Sequence, residues 1–163
     1  MGGISMEVDT LLENKLIVFQ IDGREYAISV QMVGSIERLI PITRVPSTPS
    51  YIKGVINLRG VVTPVIDLKQ RFHQEPTEFT NQTRIIIVHL NELTIGIIVE
   101  AANDVVDINK EQIEAPPETI DSKEVVYIDG VIRHDKRLLV LLDLEKVLQE
   151  QQVLESKGEG LVK

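Results

Sequence analysis

Few side chains in this sequence have the type and spacing to do chemistry. Its three histidines, His73, His89 and His134, are scattered and show no paired metal-ligand spacing. No Gly-rich loop ends in Gly-Lys-Ser/Thr, and no Gly-X-Ser-X-Gly elbow presents a nucleophile. Each histidine reads best as a surface or satisfied core residue: His73 after a short helix, His89 in a strand, His134 in a turn. Asp67 and Asp143 have the look of paired carboxylates. The run Asn57-Leu58-Arg59-Gly60 is the most unusual feature, because it sets a charged residue between a bulky apolar one and a glycine in the middle of the apolar stretch GVINLRGVVTPVIDL (54–68).

The bulk numbers narrow the function classes. The chain has 163 residues and 43% apolar content, enough for a real core in one domain or two very small ones. A formal charge of −8 argues against nucleic-acid binding, which needs a surplus of Lys and Arg, and against adhesion to anionic membrane. Aromatics at 4% give little for base stacking. With no cysteine there is no disulfide, thiolate zinc site or cysteine nucleophile, and a reducing compartment is permitted. The N-terminal MGGISMEVDT lacks the basic start and apolar core of a signal peptide, and Met6 stands where a myristoylation signal needs Ser or Thr. No apolar run approaches a membrane span. The plain expectation is a cytoplasmic protein.

Most periodic segments are short, rich in Val and Ile, and broken by turn residues. KLIVFQI (15–21), Asp22-Gly23 and EYAISV (25–30) predict a hairpin, as do RIIIVHL (84–90), Asn91-Glu92 and TIGIIV (94–99). Further strands are expected at 51–56, 61–68, 125–132 and 137–144, the second of them at an edge or bulge because of Pro64. Residues 30–39 and 99–108 carry apolar residues at helical-turn spacing and read equally as bent strand or turn. DLEKVLQEQQVLE (143–155) predicts a short amphipathic helix with DLKQRF (67–72) as its counterpart. The ends, 1–14 and 156–163, are expected to be flexible tails.

These segments repeat. Residues 51–72 fall on 127–148 at a shift of 76 without a gap, matching Tyr51 with Tyr127, Gly54 with Gly130 and Asp67 with Asp143. The earlier hairpins match at a shift of 69, so seven extra residues belong in the second copy, with 109–124 the obvious place. Two copies of about five strands predict two small closed sheets that bury a third apolar layer between them. Shared positions are most simply structural: glycines where the backbone bends, aspartates as helix caps. The hairpin tip is not shared, since Asn57-Leu58-Arg59-Gly60 falls on Arg133-His134-Asp135-Lys136. It is either a freely varying tip or a contact that one copy carries alone.

YIKGVINLRGVVTPVIDL resembles the signature of CheW, the coupling family of bacterial chemotaxis. LIVFQIDGREYAISVQMVGSIERL and IGIIVEAANDVVDI fit the same family in order and spacing, over roughly residues 15–150. The resemblance implies a mainly β protein made of two five-stranded, Src-homology-3-like barrels that intertwine in one domain, with a short C-terminal helix. It implies no catalysis and no cofactor. The implied partners are the regulatory domain of a CheA-type histidine kinase and the cytoplasmic tip of a chemoreceptor, with recruitment to receptor arrays through them. It further implies a receptor-binding groove at Val33, Ile36, Val99, Ala102 and Val105, and a coupling hairpin at Gly54, Asn57, Arg59 and Gly60. Many relatives have Glu where this chain has Ser35, and there it can pair with the motif arginine. Here Glu37 is the nearest acid, and it cannot substitute if strand alternation turns it to the other face. The alternatives are a scaffold for another CheA-like kinase system and a small-barrel nucleic-acid binder.

Overall fold

The computed structural model describes residues 14–117 and 125–148. Eleven strands lie in chain order among these residues: β1 Lys15–Ile21, β2 Arg24–Ser29, β3 Val33–Arg38, β4 Ile52–Leu58, β5 Val61–Asp67, β6 Arg84–Leu90, β7 Leu93–Val99, β8 Ala101–Asp107, β9 Ile113–Glu114, β10 Ile128–His134 and β11 Arg137–Leu142. Two short helices, α1 Leu68–His73 and α2 Leu144–Leu148, follow the last hairpin of each repeat. The expected hairpins are present in the expected order. The ambiguous segment 30–39 resolves into both options, a 3-10 turn at Val30–Met32 and then β3. Residues 149–155 of the expected C-terminal helix lie outside the described residues, as do the expected tails except Asn14. That residue is tied down, its carbonyl accepting the Ile108 N–H.

The strands form two sheets, ordered β8-β1-β2-β11-β10-β9 and β3-β6-β7-β5-β4. The first has six strands where five were expected, the sixth being the two-residue β9. The second sheet has the same device in reduced form, an isolated bridge between Thr43 and Val55. Neither sheet belongs to one repeat. The first hairpin of each repeat joins the last hairpin of the other, through parallel pairing of β2 with β11 and of β7 with β5. Pro64 stands at a local edge, as expected, although β5 is an inner strand of its sheet. β5 pairs with β7 only from Val65 to Asp67, so Pro64 sits where the β4–β5 hairpin projects past its neighbour.

Both sheets are curled. A flat six-stranded sheet would hold β8 and β9 about 24 Å apart. The connection between them is only residues 108–112, partly wound into a 3-10 turn, and so spans less than that. Side chains close the same gap. Arg137 of β11 donates from Nε and Nη2 to the Glu25 carboxylate at 3.0 and 2.6 Å, and from Nη1 to Asp104 of β8 at 2.9 Å. β8 and β11 are separated by two strands in the sheet order, so this contact exists only in a curled sheet.

Curling divides the apolar residues into three layers. Leu16, Val18, Ala27, Val106, Ile132 and Leu139 fill the first sheet. Ile56, Val65, Ile85, Ile87 and Ile98 fill the second. The largest layer lies between the sheets and takes Ile17, Phe19, Ile28, Ile86, Val88, Ile97 and Val99 among others. Alternation makes this possible: Leu16 and Val18 point into one layer, Ile17 and Phe19 into the other, so β1 is apolar on both faces from Leu16 to Phe19. Asp67 and Asp143 cap the helices, each accepting a backbone N–H three residues on. Fully buried Asp67 also takes two bonds from Thr77 at 2.7 Å. The two carboxylates are therefore structural.

Two tests follow from this packing. Gly54 has φ +139°, and a Cβ there would stand 2.0 Å from the Thr43 carbonyl oxygen. Gly54→Ala should cost about 3 kcal/mol or more, read as a lower denaturant midpoint. An unchanged midpoint would mean that the backbone has room to shift. Hydrogen bonding from Arg137 holds the Glu25 carboxyl below its ordinary value of 4.5. Its contribution to stability is present above that value and lost as pH falls through the lowered one. The melting temperature should therefore drop on acidification more steeply in the parent than in Arg137→Leu, which itself should cost about 1–2 kcal/mol at pH 7. Parallel pH profiles would show that the triad does not hold the sheet closed.

Candidate functional site

The β4–β5 hairpin turns through Arg59 and Gly60, with φ of +49° and +88°. Positive φ at both central residues is the twist that a two-residue hairpin needs. The other three hairpins also have a positive φ at the first turn residue, and there it is Asp22, Asn91 or Asp135. Asp and Asn tolerate that conformation, whereas an arginine is disfavoured in it by about 1–2 kcal/mol. Asn57 supports the turn, its Oδ1 accepting the Gly60 N–H at 2.8 Å. Gly54 is buried beneath Thr43 and carries the hairpin's bend. Of the four hairpin candidates, Arg59 alone presents a large polar side chain outward.

Arg59 is not free. Its Nη2 donates to Glu37 Oε2 at 3.0 Å, with the Arg side chain 69% exposed and the Glu side chain 19% exposed. Alternation does not turn Glu37 away. A bulge between Val33 and Ser35 resets the register, setting Ser35 opposite Ile87 and Glu37 opposite Ile85. Both isoleucines fill the second sheet, so Ser35 and Glu37 share their face, the one toward which Arg59 reaches. Hydrogen bonds from Arg59 first and Ser35 second hold the Glu37 carboxyl below the ordinary range, against the opposing effect of burial. Like Arg137, Arg59 ties the last hairpin of its sheet to the edge strand across the curl.

The groove candidates share a different face. Val33 pairs with Val88 and Ile36 with Ile86, and both partners belong to the layer between the sheets. Ala102 pairs with Phe19 and Val105 with Ile17, again partners in that layer. The register thus aims these residues at the space where the sheets face each other. They sort by depth. Val99 is fully buried in the core, so it offers no surface to a partner. Val33 and Ala102 pack partly against that core. Ile36 and Val105 stand 42% and 54% exposed on β3 and β8, the strands that end the two sheets.

Two features escaped sequence reasoning. Val61 and Val62 are both exposed on the projecting half of β5, where alternation alone would bury one of them. Arg71 lies over the rings of Tyr51 and Tyr127, at 5.1 and 5.0 Å from their centroids. The repeat had matched these tyrosines but gave no sign that one cation bridges them. His89 proves exposed, with Nδ1 2.9 Å from Thr94 Oγ1. His73 is the last residue of α1, not a residue beyond it. Among the described residues no group of three or more His, Cys, Asp or Glu is placed to hold a metal.

Comparison with known proteins agrees over most of the chain. Residues 15–152 match the family described as CheW-like domain. The chemotaxis protein CheW of Bacillus subtilis (strain 168) is 46% identical over 137 residues, covering 84% of this chain and 88% of its own. The chemotaxis protein CheW of Helicobacter pylori is 33% identical over 137 residues, covering 83% and 82%. The crystal structure of the scaffolding protein TtCheW from Thermoanaerobacter tengcongensis superposes with a TM-score of 0.75 at 31% identity, covering 84% of this chain and 88% of that one.

The strained arginine yields a test. Arg59→Asn installs a residue at home in the turn conformation while removing an exposed ion pair worth at most about 1 kcal/mol. The two effects oppose, so the unfolding midpoint should move by less than about 1 kcal/mol in either direction. A loss above about 2 kcal/mol would make the Arg59–Glu37 tie a structural closure.

Proposed function

The chain belongs to the CheW-like family and is a chemotaxis coupling adaptor, and from that premise we propose that it joins a chemoreceptor tip to the regulatory domain of a CheA-type histidine kinase. It works by holding two partners together and catalyses no reaction. The folded part acts as one domain of two intertwined barrels. The observation that carries the receptor side is the pair Ile36 and Val105, equivalent in the two repeats and both solvent-exposed beside the inter-sheet layer. An apolar residue left exposed at the same place in each repeat is suited to a partner that crosses both sheets. A receptor tip is helical, and an amphipathic helix docks by laying apolar anchors into an apolar groove. Val33 and Ala102 form the floor of that groove, and Val99 supports it from the core.

The coupling hairpin is a second contact. Arg59 stays largely exposed while paired, so its remaining donors are available to a carboxylate or carbonyl on a partner. Glu37 fixes where the guanidinium points, and Asn57 and Gly60 fix the turn. No helix among the described residues is long and apolar enough to cross a membrane. Association with membrane-bound arrays would therefore run through the partners, with the adaptor itself in the cytoplasm.

Val105→Glu tests the groove. Because Val105 is 54% exposed, the substitution should change stability by under about 1 kcal/mol. It should nonetheless weaken binding of a receptor-tip fragment at least tenfold in titration calorimetry, because a charge must then be desolvated in an apolar contact. Binding of the kinase regulatory domain should persist. Undiminished receptor binding would remove the groove from the proposal. Absence of kinase binding by the unaltered chain would overturn the pairing of partners.

A further inference from the structure

Away from the groove and the hairpin tip, the connection between β3 and β4 folds against the loop after α1 and leaves a basin of about 790 Å³. Val45, Pro49, Ile52 and Phe79 give it an apolar lining, and Phe79 is 50% exposed there. Arg44 and Lys53 also line it. Neither takes part in an ion pair or side-chain hydrogen bond among the described residues, whereas Lys15, Lys69, Arg59, Arg133, Arg137 and Lys146 are all ion-paired. Arg38 and Lys136 also lack an ion pair among the described residues, so what sets Arg44 and Lys53 apart is that both line one apolar hollow in a chain of formal charge −8. Glu75 and Glu78 flank the basin in sequence but are not among its lining residues.

The repeat serves as an internal control. Tyr51 and Gly54 recur as Tyr127 and Gly130, and in each copy the backbone N–H of Asp67 or Asp143 donates to the tyrosine carbonyl. Lys53, which lies between them, is matched by Asp129. The fold therefore accepts an acid at the matching place, and the bend does not itself call for the cation at residue 53.

We infer that this basin docks an acidic segment of a partner protein, with an apolar side chain seated against Val45 and Phe79 and carboxylates held by Arg44 and Lys53. The apolar wall supplies burial and the two cations orient the segment, as charged rims do at protein interfaces. This surface is separate from the groove of Ile36 and Val105, so the inference stands independently of where the receptor binds.

The test uses the full chain and fluorescein-labelled nonapeptides with a central Phe or Leu among glutamates, alongside the same peptides with lysines. Fluorescence anisotropy should show saturable binding of a glutamate peptide that weakens as salt screens the charges. Lys53→Glu and Phe79→Ser should each weaken it at least tenfold with unchanged melting, and Ile36→Glu should leave it intact. If Lys53→Glu melts early, Lys53→Gln takes its place, with a loss of at least threefold expected. Failure of every glutamate peptide to bind, equal binding of the lysine peptides, or indifference to both basin substitutions would overturn the proposal. Full competition by inorganic phosphate would also overturn it, leaving a simple anion site.

Discussion

The structure depends on the strand pairings that stitch one repeat to the other: parallel β2 with β11 and β7 with β5, antiparallel β1 with β8 and β3 with β6. Every other principal contact within the sheets is an antiparallel one. Without the parallel pairs the last hairpin of each repeat would come loose from its sheet, too small to be stable alone in water. With them, each sheet completes itself from both repeats, and neither can form unless the other copy is present. The layer between the sheets is thus the joint core of an exchanged pair, with both faces of β1, β2, β6 and β7 buried. Folding should accordingly be cooperative across the whole described chain. Pairing residues about a hundred positions apart also implies slow, non-local folding.

Once the sheets are exchanged, their curl must be held. Each sheet uses an arginine on its last hairpin to reach a carboxylate on the edge strand across the opening, but the residues are not equivalent. Arg137 takes Glu25 and Asp104 from within β11, whereas Arg59 takes Glu37 from the turn itself. The first tie is a three-member network and the second a single exposed pair, so they differ in strength. The weaker tie belongs to the hairpin whose turn is strained. Strain of this kind persists only where surrounding structure holds it or a function needs the side chain. The Arg59 tie is weak, so the second explanation carries more of the weight.

Much of this was legible in the sequence. Alternation and turn residues located the hairpins. The ungapped match of 51–72 to 127–148 identified Gly54 and Gly130 as backbone constraints and Asp67 and Asp143 as caps. The exchange of hairpins was not legible from the residues, because a repeat states that two units are alike without saying which partner each strand takes. Burial of Val99 against exposure of Val105 was hidden for a related reason: both are valines of one copy aimed at one layer, and only their distance from its edge separates them. The shared aim of Val33 and Ile36 turned on a bulge between Val33 and Ser35, since a single inserted residue changes the face of everything after it, whereas Glu37 shares the face of Ser35 by plain alternation. Nothing in VGSIER marks that insertion except Gly34, where a Cβ would crowd the His89 ring.

A duplicated fold separates what the architecture demands from what a partner demands. Where the copies agree, as at Tyr51 and Tyr127 or Gly54 and Gly130, the backbone supplies the reason in both. Where they differ in a shared frame, the frame cannot be the reason. Arg59 against Asp135 and Lys53 against Asp129 are such positions, and at both the first repeat carries the cation and the second the acid. Asn57 and Gly60 run the other way, falling on Arg133 and Lys136, so the two hairpin ends differ in where their charges sit, while Ile36 and Val105 keep the two copies alike at the rim of the shared layer. An adaptor needs both kinds of surface. A symmetric apolar rim suits a partner that lies across the two sheets, and a polarised end lets a second partner tell one barrel from the other.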